Sequence, residues 1–138
     1  MVRRATNSDK QAIFSIMDGC IEPRWSMEAL SHALISESDN FVYELNGKVV
    51  GYALIENVID EGCLTSIAVI DECRRQGVAK ELLQLALSES KMKSVYLEVN
   101  ENNTPAINLY LSFGFIEIGR RKKYYGESTA IVLRKELV

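Results

Sequence analysis

The chain has 138 residues, 47% of them hydrophobic and 25% charged, the balance of one soluble globular domain that buries about two-thirds of its unfolded surface. A net charge of −3 gives no drive toward nucleic acid, so no direct nucleic-acid partner is expected. No apolar run approaches the length of a membrane span and the N-terminus carries no hydrophobic signal region, so a cytoplasmic protein with no membrane partner is expected.

Cys20, Cys63 and Cys73 are odd in number and include no Cys-x-x-Cys pair, which speaks against a disulfide framework or a zinc site. The single histidine, His32, leaves little scope for histidine-based metal or triad chemistry. No metal is expected. No repeat, low-complexity stretch or linker interrupts the chain, so residues 1–138 are expected to form a single domain.

The first helix is predicted from Ser8, with Ala12, Ile13, Ile16, Met17 and Cys20 as its apolar stripe. Ser26 is expected to cap a second helix ending near Ile35. Phe41–Leu45 and Lys48–Glu56 read as strands joined at Asn46-Gly47, a strong hairpin signal. A strand over Leu64–Ile70 then runs through Arg74-Arg75-Gln76-Gly77 into a helix from Gln76 to about Ser90. Its apolar residues Val78, Ala79, Leu82, Leu83 and Ala86 keep a 3.6-residue period. Ser94–Val99 is a further strand. Thr104 is expected to cap a short helix with Pro105 at its first position and Gly114 at its end. Phe115–Lys123 and Thr129–Lys135 read as a terminal antiparallel pair. Strand–helix–strand units beside hairpins imply an α/β (α+β) fold: a mixed, mostly antiparallel twisted sheet with helices on both faces.

Three features carry chemistry. The strand–turn–helix at Arg74–Ala79 is suited to an anion, because the first N–H groups of a helix lack internal partners and its dipole makes that end positive. Gly77 permits close backbone approach, and two arginines add charge-assisted donors. The plainer reading is a surface turn with basic residues. Glu98 lies in Val95-Tyr96-Leu97-Glu98-Val99, where strand alternation sets it opposite the apolar residues. It would serve as a general base if burial raised its proton affinity; otherwise it is a strand-end carboxylate, solvated or paired with an arginine. Tyr110 stands among Ile107, Leu111 and Phe113, where a tyrosine is ordinarily a packing residue, although a phenol can also protonate a leaving thiolate.

In order and at their spacing, Ile67-Ala68-Val69, Arg-x-x-Gly-x-Ala over residues 74–79, Leu97-Glu98-Val99 and Asn-x-x-Ala-Ile-x-Leu-Tyr-x-x-x-Gly-Phe over residues 103–115 resemble the GNAT acetyltransferases. Within them the chain resembles the branch of bacterial ribosomal-protein alanine N-acetyltransferases (RimI-like). The likeness extends to Pro23-Arg24-Trp25-Ser26 and to Arg120-Arg121-Lys122-Lys123-Tyr124-Tyr125, nearly the whole chain. It departs in two places: Ile70-Asp71-Glu72-Cys73 lacks a proline often found before the turn, and Gly126-Glu127-Ser128 is shorter than in enterobacterial members.

The resemblance implies a GNAT fold and acetyl-CoA as cosubstrate. It assigns the backbone of Ile67, Ala68 and Val69 to the acetyl carbonyl and pantetheine. Arg75, Gln76, Gly77, Val78, Ala79 and Lys80 fall to the pyrophosphate, and Asn103 to a further cofactor contact. Glu98 aligns with the general base, Tyr110 with the general acid, and Trp25, Tyr124 and Tyr125 with the acceptor cleft. The acceptor it implies is a protein N-terminus, that of a small-subunit ribosomal protein, acetylated by direct attack in a ternary complex. A monomer or weak homodimer is expected. The alternatives are a GNAT enzyme for lysine or a small amine, and a non-catalytic acyl-CoA-binding module, against which the presence of both Glu98 and Tyr110 speaks.

Overall fold

The computed structural model describes residues 1–20, 26–35, 38–122 and 128–137. In chain order these form β1 (Val2–Arg4), a 3-10 turn (Asn7–Asp9), α1 (Lys10–Cys20), α2 (Met27–Ile35), β2 (Ser38–Leu45) and β3 (Lys48–Val58). There follow β4 (Glu61–Val69), a 3-10 turn (Asp71–Cys73), α3 (Val78–Glu89), β5 (Ser94–Asn100), α4 (Thr104–Ser112), β6 (Ile116–Lys122) and β7 (Thr129–Glu136). Seven strands hydrogen-bond in the order β1-β2-β3-β4-β5-β7-β6. The β4–β5 pairing is parallel; β1–β2, β2–β3, β5–β7 and β6–β7 are antiparallel. The expected mixed, mostly antiparallel sheet is therefore present, with β7 inserted between β5 and β6. The chain divides into two compact units, Met1–Asn57 with Leu64–Ser90, and Val58–Cys63 with Lys91–Val138.

In the first unit, β1 was not foreseen, since three residues are too few to show a period. It is fastened by Arg3, which donates to both carboxylate oxygens of the buried Asp9 at 2.9 and 2.8 Å and to Glu44 at 3.0 Å. Asp9 also accepts the Thr6 N–H at 2.8 Å, closing a capping box. The first helical stretch thus opens at Thr6 rather than Ser8, because Asp9 can serve Thr6 from three residues on. Ile13, Ile16 and Met17 of α1 pack with Leu30 of α2 and with Val42, Tyr52 and Leu54. The hairpin turn is where the sequence placed it: Asn46 and Gly47 take φ of 52° and 78°, and Leu45 pairs Lys48. Along β3, Val50 to Ile55 are all buried, so this strand is enclosed on both faces. Within it the buried Tyr52 hydroxyl shares a 2.7 Å hydrogen bond with Ser66.

In the second unit, Val95, Leu97 and Val99 of β5 and Ile131 and Leu133 of β7 are buried. The Tyr110 and Phe115 rings meet at 5.8 Å between centroids. The cap of α4 is Asn103, not Thr104: its side-chain oxygen accepts the Ala106 N–H at 3.3 Å, and asparagine is the stronger cap. Thr104 and Pro105 become the first two helical residues, where the Thr104 N–H needs no intrahelical acceptor and the missing N–H of Pro105 costs nothing. Gly114 ends the helix at φ 92°, as expected.

Gly51 fixes how closely β3 approaches the start of α3. A Cβ there would stand 3.1 Å from Val78 Cγ1 and 3.2 Å from both the Ala68 carbonyl oxygen and Leu82 Cδ1. Gly51→Ala is expected to lower unfolding free energy by about 1–3 kcal/mol through overpacking, measured by denaturant unfolding. An unchanged midpoint would mean that the contact relaxes freely.

Candidate active site

The turn between β4 and α3 separates its two arginines. Arg74 is turned back onto the loop, donating to the Val69 carbonyl at 3.3 Å and pairing with Asp71 at 3.1 Å. Arg75 adopts φ 63°, a left-handed conformation that costs a non-glycine residue about 1–2 kcal/mol and swings its side chain away from its neighbour's course. Among the described residues neither Arg75 nor Lys80 has an ion-pair or hydrogen-bond partner, and both are exposed. Of the two arginines expected to add donors for an anion, Arg74 is thus engaged within the loop. Gln76 bonds the Glu72 carbonyl at 3.0 Å, so its side chain shapes the turn.

Gly77 caps α3 at φ 82° with no side-chain hydrogen bond. A Cβ at Gly77 would meet nothing within 4 Å, so the glycine is required by its left-handed conformation and not by lack of room. With Gly77 as cap, the Val78, Ala79 and Lys80 N–H groups precede the first intrahelical bond, which runs from Glu81 N–H to the Gly77 carbonyl at 3.0 Å. The result is a helix N-terminus with no side-chain cap beside two exposed cations, the kind of helix end at which negative charge is favoured. In the same unit, Ile67, Ala68 and Val69 are the last residues of β4, Val69 buried and the other two half-buried.

In the second unit Glu98 is exposed, so the burial on which a raised proton affinity depended is not present. The strand alternates as predicted, but the face that carries Glu98 is open. The carboxylate is gripped by Arg121 of β6, whose Nη2 donates to Oε2 at 2.9 Å while Nε lies 2.9 Å from Oε1. The arginine-paired alternative is thus the observed environment, and any base function must operate from within that pair. Arg121 was not singled out for this role because it lies 23 residues further along the chain.

Tyr110 is 5% exposed, against Phe115, and burial pushes its phenol up to about 12. A phenol there keeps its proton at any physiological pH. Asn103, at the exposed cap of α4, uses its carbonyl oxygen for the Ala106 N–H. Trp25, Tyr124 and Tyr125 lie outside the described residues. Among the described residues no group of three or more His, Cys, Asp or Glu side chains could hold a metal, and no helix is long and apolar enough to cross a membrane.

The first unit thus carries a helix N-terminus with no side-chain cap, and the second a carboxylate on an exposed strand face and a buried phenol. The acetyltransferase (GNAT) family matches residues 10–115, and the chain belongs to that family; it is an acetyltransferase. An N-alpha-acetyltransferase of Sulfurisphaera tokodaii is 34% identical over 114 residues, covering 71% of this chain and 68% of that one. The [ribosomal protein bS18]-alanine N-acetyltransferase of Escherichia coli K12 is 38% identical over 101 residues, 68% of each chain. The crystal structure of the ribosomal-protein-S18-alanine N-acetyltransferase from Escherichia coli superposes with a TM-score of 0.92 at 28% identity, over 99% of this chain and 93% of that one. The resemblance to this branch, read first from the motifs, is shown by these relatives.

The raised Tyr110 phenol makes an alkaline prediction. Below the ordinary tyrosine value of 10.0 both folded and unfolded forms are protonated, so its contribution is intact. Between that value and about 12 only the unfolded chain ionises, and stability is lost as pH rises. Tyr110→Phe is expected to lose less stability than the unsubstituted protein between pH 9 and pH 11, in melting temperatures taken side by side. Parallel losses would place the hydroxyl in water.

Proposed function

We propose that this protein transfers the acetyl group of acetyl-CoA to the N-terminal α-amino group of a protein, with a small-subunit ribosomal protein in the cytoplasm as acceptor. The observation that carries the cofactor assignment is the uncapped start of α3 beside the unpaired Arg75 and Lys80. That arrangement suits the pyrophosphate of coenzyme A. Asn103 and the backbone of Ile67 to Val69 are proposed to make the remaining cofactor contacts, and Trp25, Tyr124 and Tyr125 to shape the acceptor cleft.

The chemistry of the acceptor follows from Glu98. An exposed carboxylate is a weak base, so the amine must supply much of its own neutral form. An α-amine titrates about 2.5 units below a lysine, so at neutral pH roughly 300 times more of it is neutral. That difference supports an N-terminal acceptor over a side chain. Glu98 receives the proton released as the amine attacks the thioester, directly or through one water. Two relatives named for α-amine acetylation support the same acceptor.

Tyr110 serves the departing sulfur. Burial raises its phenol to about 12, well above an ordinary thiol, so the proton stays preferentially on the phenol. Tyr110 therefore acts as a hydrogen-bond donor to the charge developing on sulfur rather than as a full proton donor.

Two substitutions separate the roles. Arg75→Glu places negative charge at the pyrophosphate and is expected to weaken acetyl-CoA binding at least tenfold in a folded protein; unchanged affinity by calorimetry would remove the turn from the site. Glu98→Gln is expected to lower the turnover rate about a hundredfold or more at neutral pH while leaving acetyl-CoA affinity nearly intact. Full activity across pH would make Glu98 structural. The acceptor itself is tested with two peptides differing only in a free or a blocked N-terminus. Product from the free one alone is expected, and equal product from both would point to lysine.

A further inference from the structure

Glu98 and Arg121 stand on β5 and β6, with β7 between them. The register sets Glu98 opposite Val132, which pairs in turn with Gly119, and sets Asn100 opposite Ala130, which pairs with Arg121. Arg121 thus shares a sheet face with Glu98 and reaches it diagonally across β7. Gly119 has no side chain in that row, and a Cβ there would meet nothing within 4 Å. The path is left open for the guanidinium, which closes on both oxygens of the carboxylate at 2.9 Å.

The neighbouring charges are occupied elsewhere. Arg120 is held by Glu117 at 3.1 Å and by Glu101 at 3.6 Å. Arg134, on the shared face of β7, pairs with Glu61 and Glu136 at 3.3 Å each. Lys122 follows Arg121 on β6 and is exposed, Tyr96 precedes Glu98 on its face of β5, and Cys63 pairs with Tyr96 from β4. The α4 segment, Thr104–Ser112, carries no charged side chain and offers only the buried Tyr110. Among the described residues, Arg121 is the one cation that bonds Glu98.

We propose that Arg121 is a positioning residue of the acceptor site: its two-pronged grip aims the Glu98 carboxylate on the open face of β5, and its fixed positive charge holds the incoming amine in the neutral form that attacks. This rests on the proposal that Glu98 takes the amine's proton. A carboxylate has about four lone-pair positions; Arg121 hydrogen-bonds Oε2 and stands against Oε1 as an ion pair, which leaves positions on both oxygens for the amine or a bridging water. An ammonium arriving there meets the Glu98 carboxylate, which favours it, and the guanidinium, a like charge within about 4–6 Å that disfavours it and offsets the carboxylate's pull. An ordinary exposed ion pair would contribute little and would leave the pH dependence of turnover untouched.

The test is the pH profile of kcat at saturating peptide and acetyl-CoA, which reports groups in the bound complex, for Arg121→Gln, Arg121→Met, Arg121→Lys and Glu98→Gln. Removing the charge is expected to move the acid limb to higher pH by about one unit, a loss of about tenfold near pH 6.5 that is recovered toward pH 9. Acetyl-CoA affinity and melting temperature should be unchanged. Arg121→Lys keeps the charge without the fork, so its limb should stay in place while its plateau falls. An acid limb that coincides with that of the unsubstituted protein, in whichever neutral variant is folded, overturns the proposal. Glu98→Gln separates the two levels: if it is slow while the arginine variants leave the limb unmoved, only the role of Arg121 falls. If Glu98→Gln is fully active, the base assignment falls with it.

Discussion

Gly77 begins α3 in a left-handed conformation with no side chain to cap it, and the remaining features of the cofactor half follow from that. A serine or aspartate cap in the usual extended conformation would satisfy one of the first N–H groups internally, worth a few tenths of a kcal/mol over glycine. The chain forgoes that gain and leaves the groups open. The same turn sets Arg75 at positive φ while Arg74 is consumed by Val69 and Asp71. One arginine builds the loop, and the other makes no such contact among the described residues. Gly51, by admitting Val78 and the Ala68 carbonyl at close range, ties the first turn of α3 to the end of β4.

The acceptor half is governed by a different balance. Glu98 is neither buried nor free; it is exposed and bound by one guanidinium. Such a carboxylate gains orientation from its partner and gives up desolvation as a source of basicity. An acceptor whose own amine titrates near neutrality suits it, which connects the geometry of β5 and β6 to the choice of an N-terminus. Tyr110 shows the opposite compromise. It is buried, and that burial keeps the phenol protonated.

Much of the fold was legible because local signals agreed with one another. Asn46-Gly47, the period of α3 and the Pro105-to-Gly114 frame of α4 each fix their own neighbourhood. The three residues of β1 gave no period, and Asn103 displaced Thr104 as a cap by one position of side-chain geometry. The site was legible in kind, since the glycine turn and the Leu97-Glu98-Val99 strand carry their chemistry in a few adjacent residues. What sequence did not disclose depends on backbone angle or on distance along the chain. The division of labour between Arg74 and Arg75 turns on a single φ. The exposure of Glu98 depends on what covers one strand face, and its pair with Arg121 forms across an intervening strand.

The central claim is that the acceptor is an α-amine. The most direct measurement is tandem mass spectrometry of one peptide that carries both a free N-terminal alanine and an internal lysine, after a limited reaction with acetyl-CoA. The account predicts acetyl on the N-terminal nitrogen with the lysine unmodified; acetyl accumulating first on the lysine would contradict it.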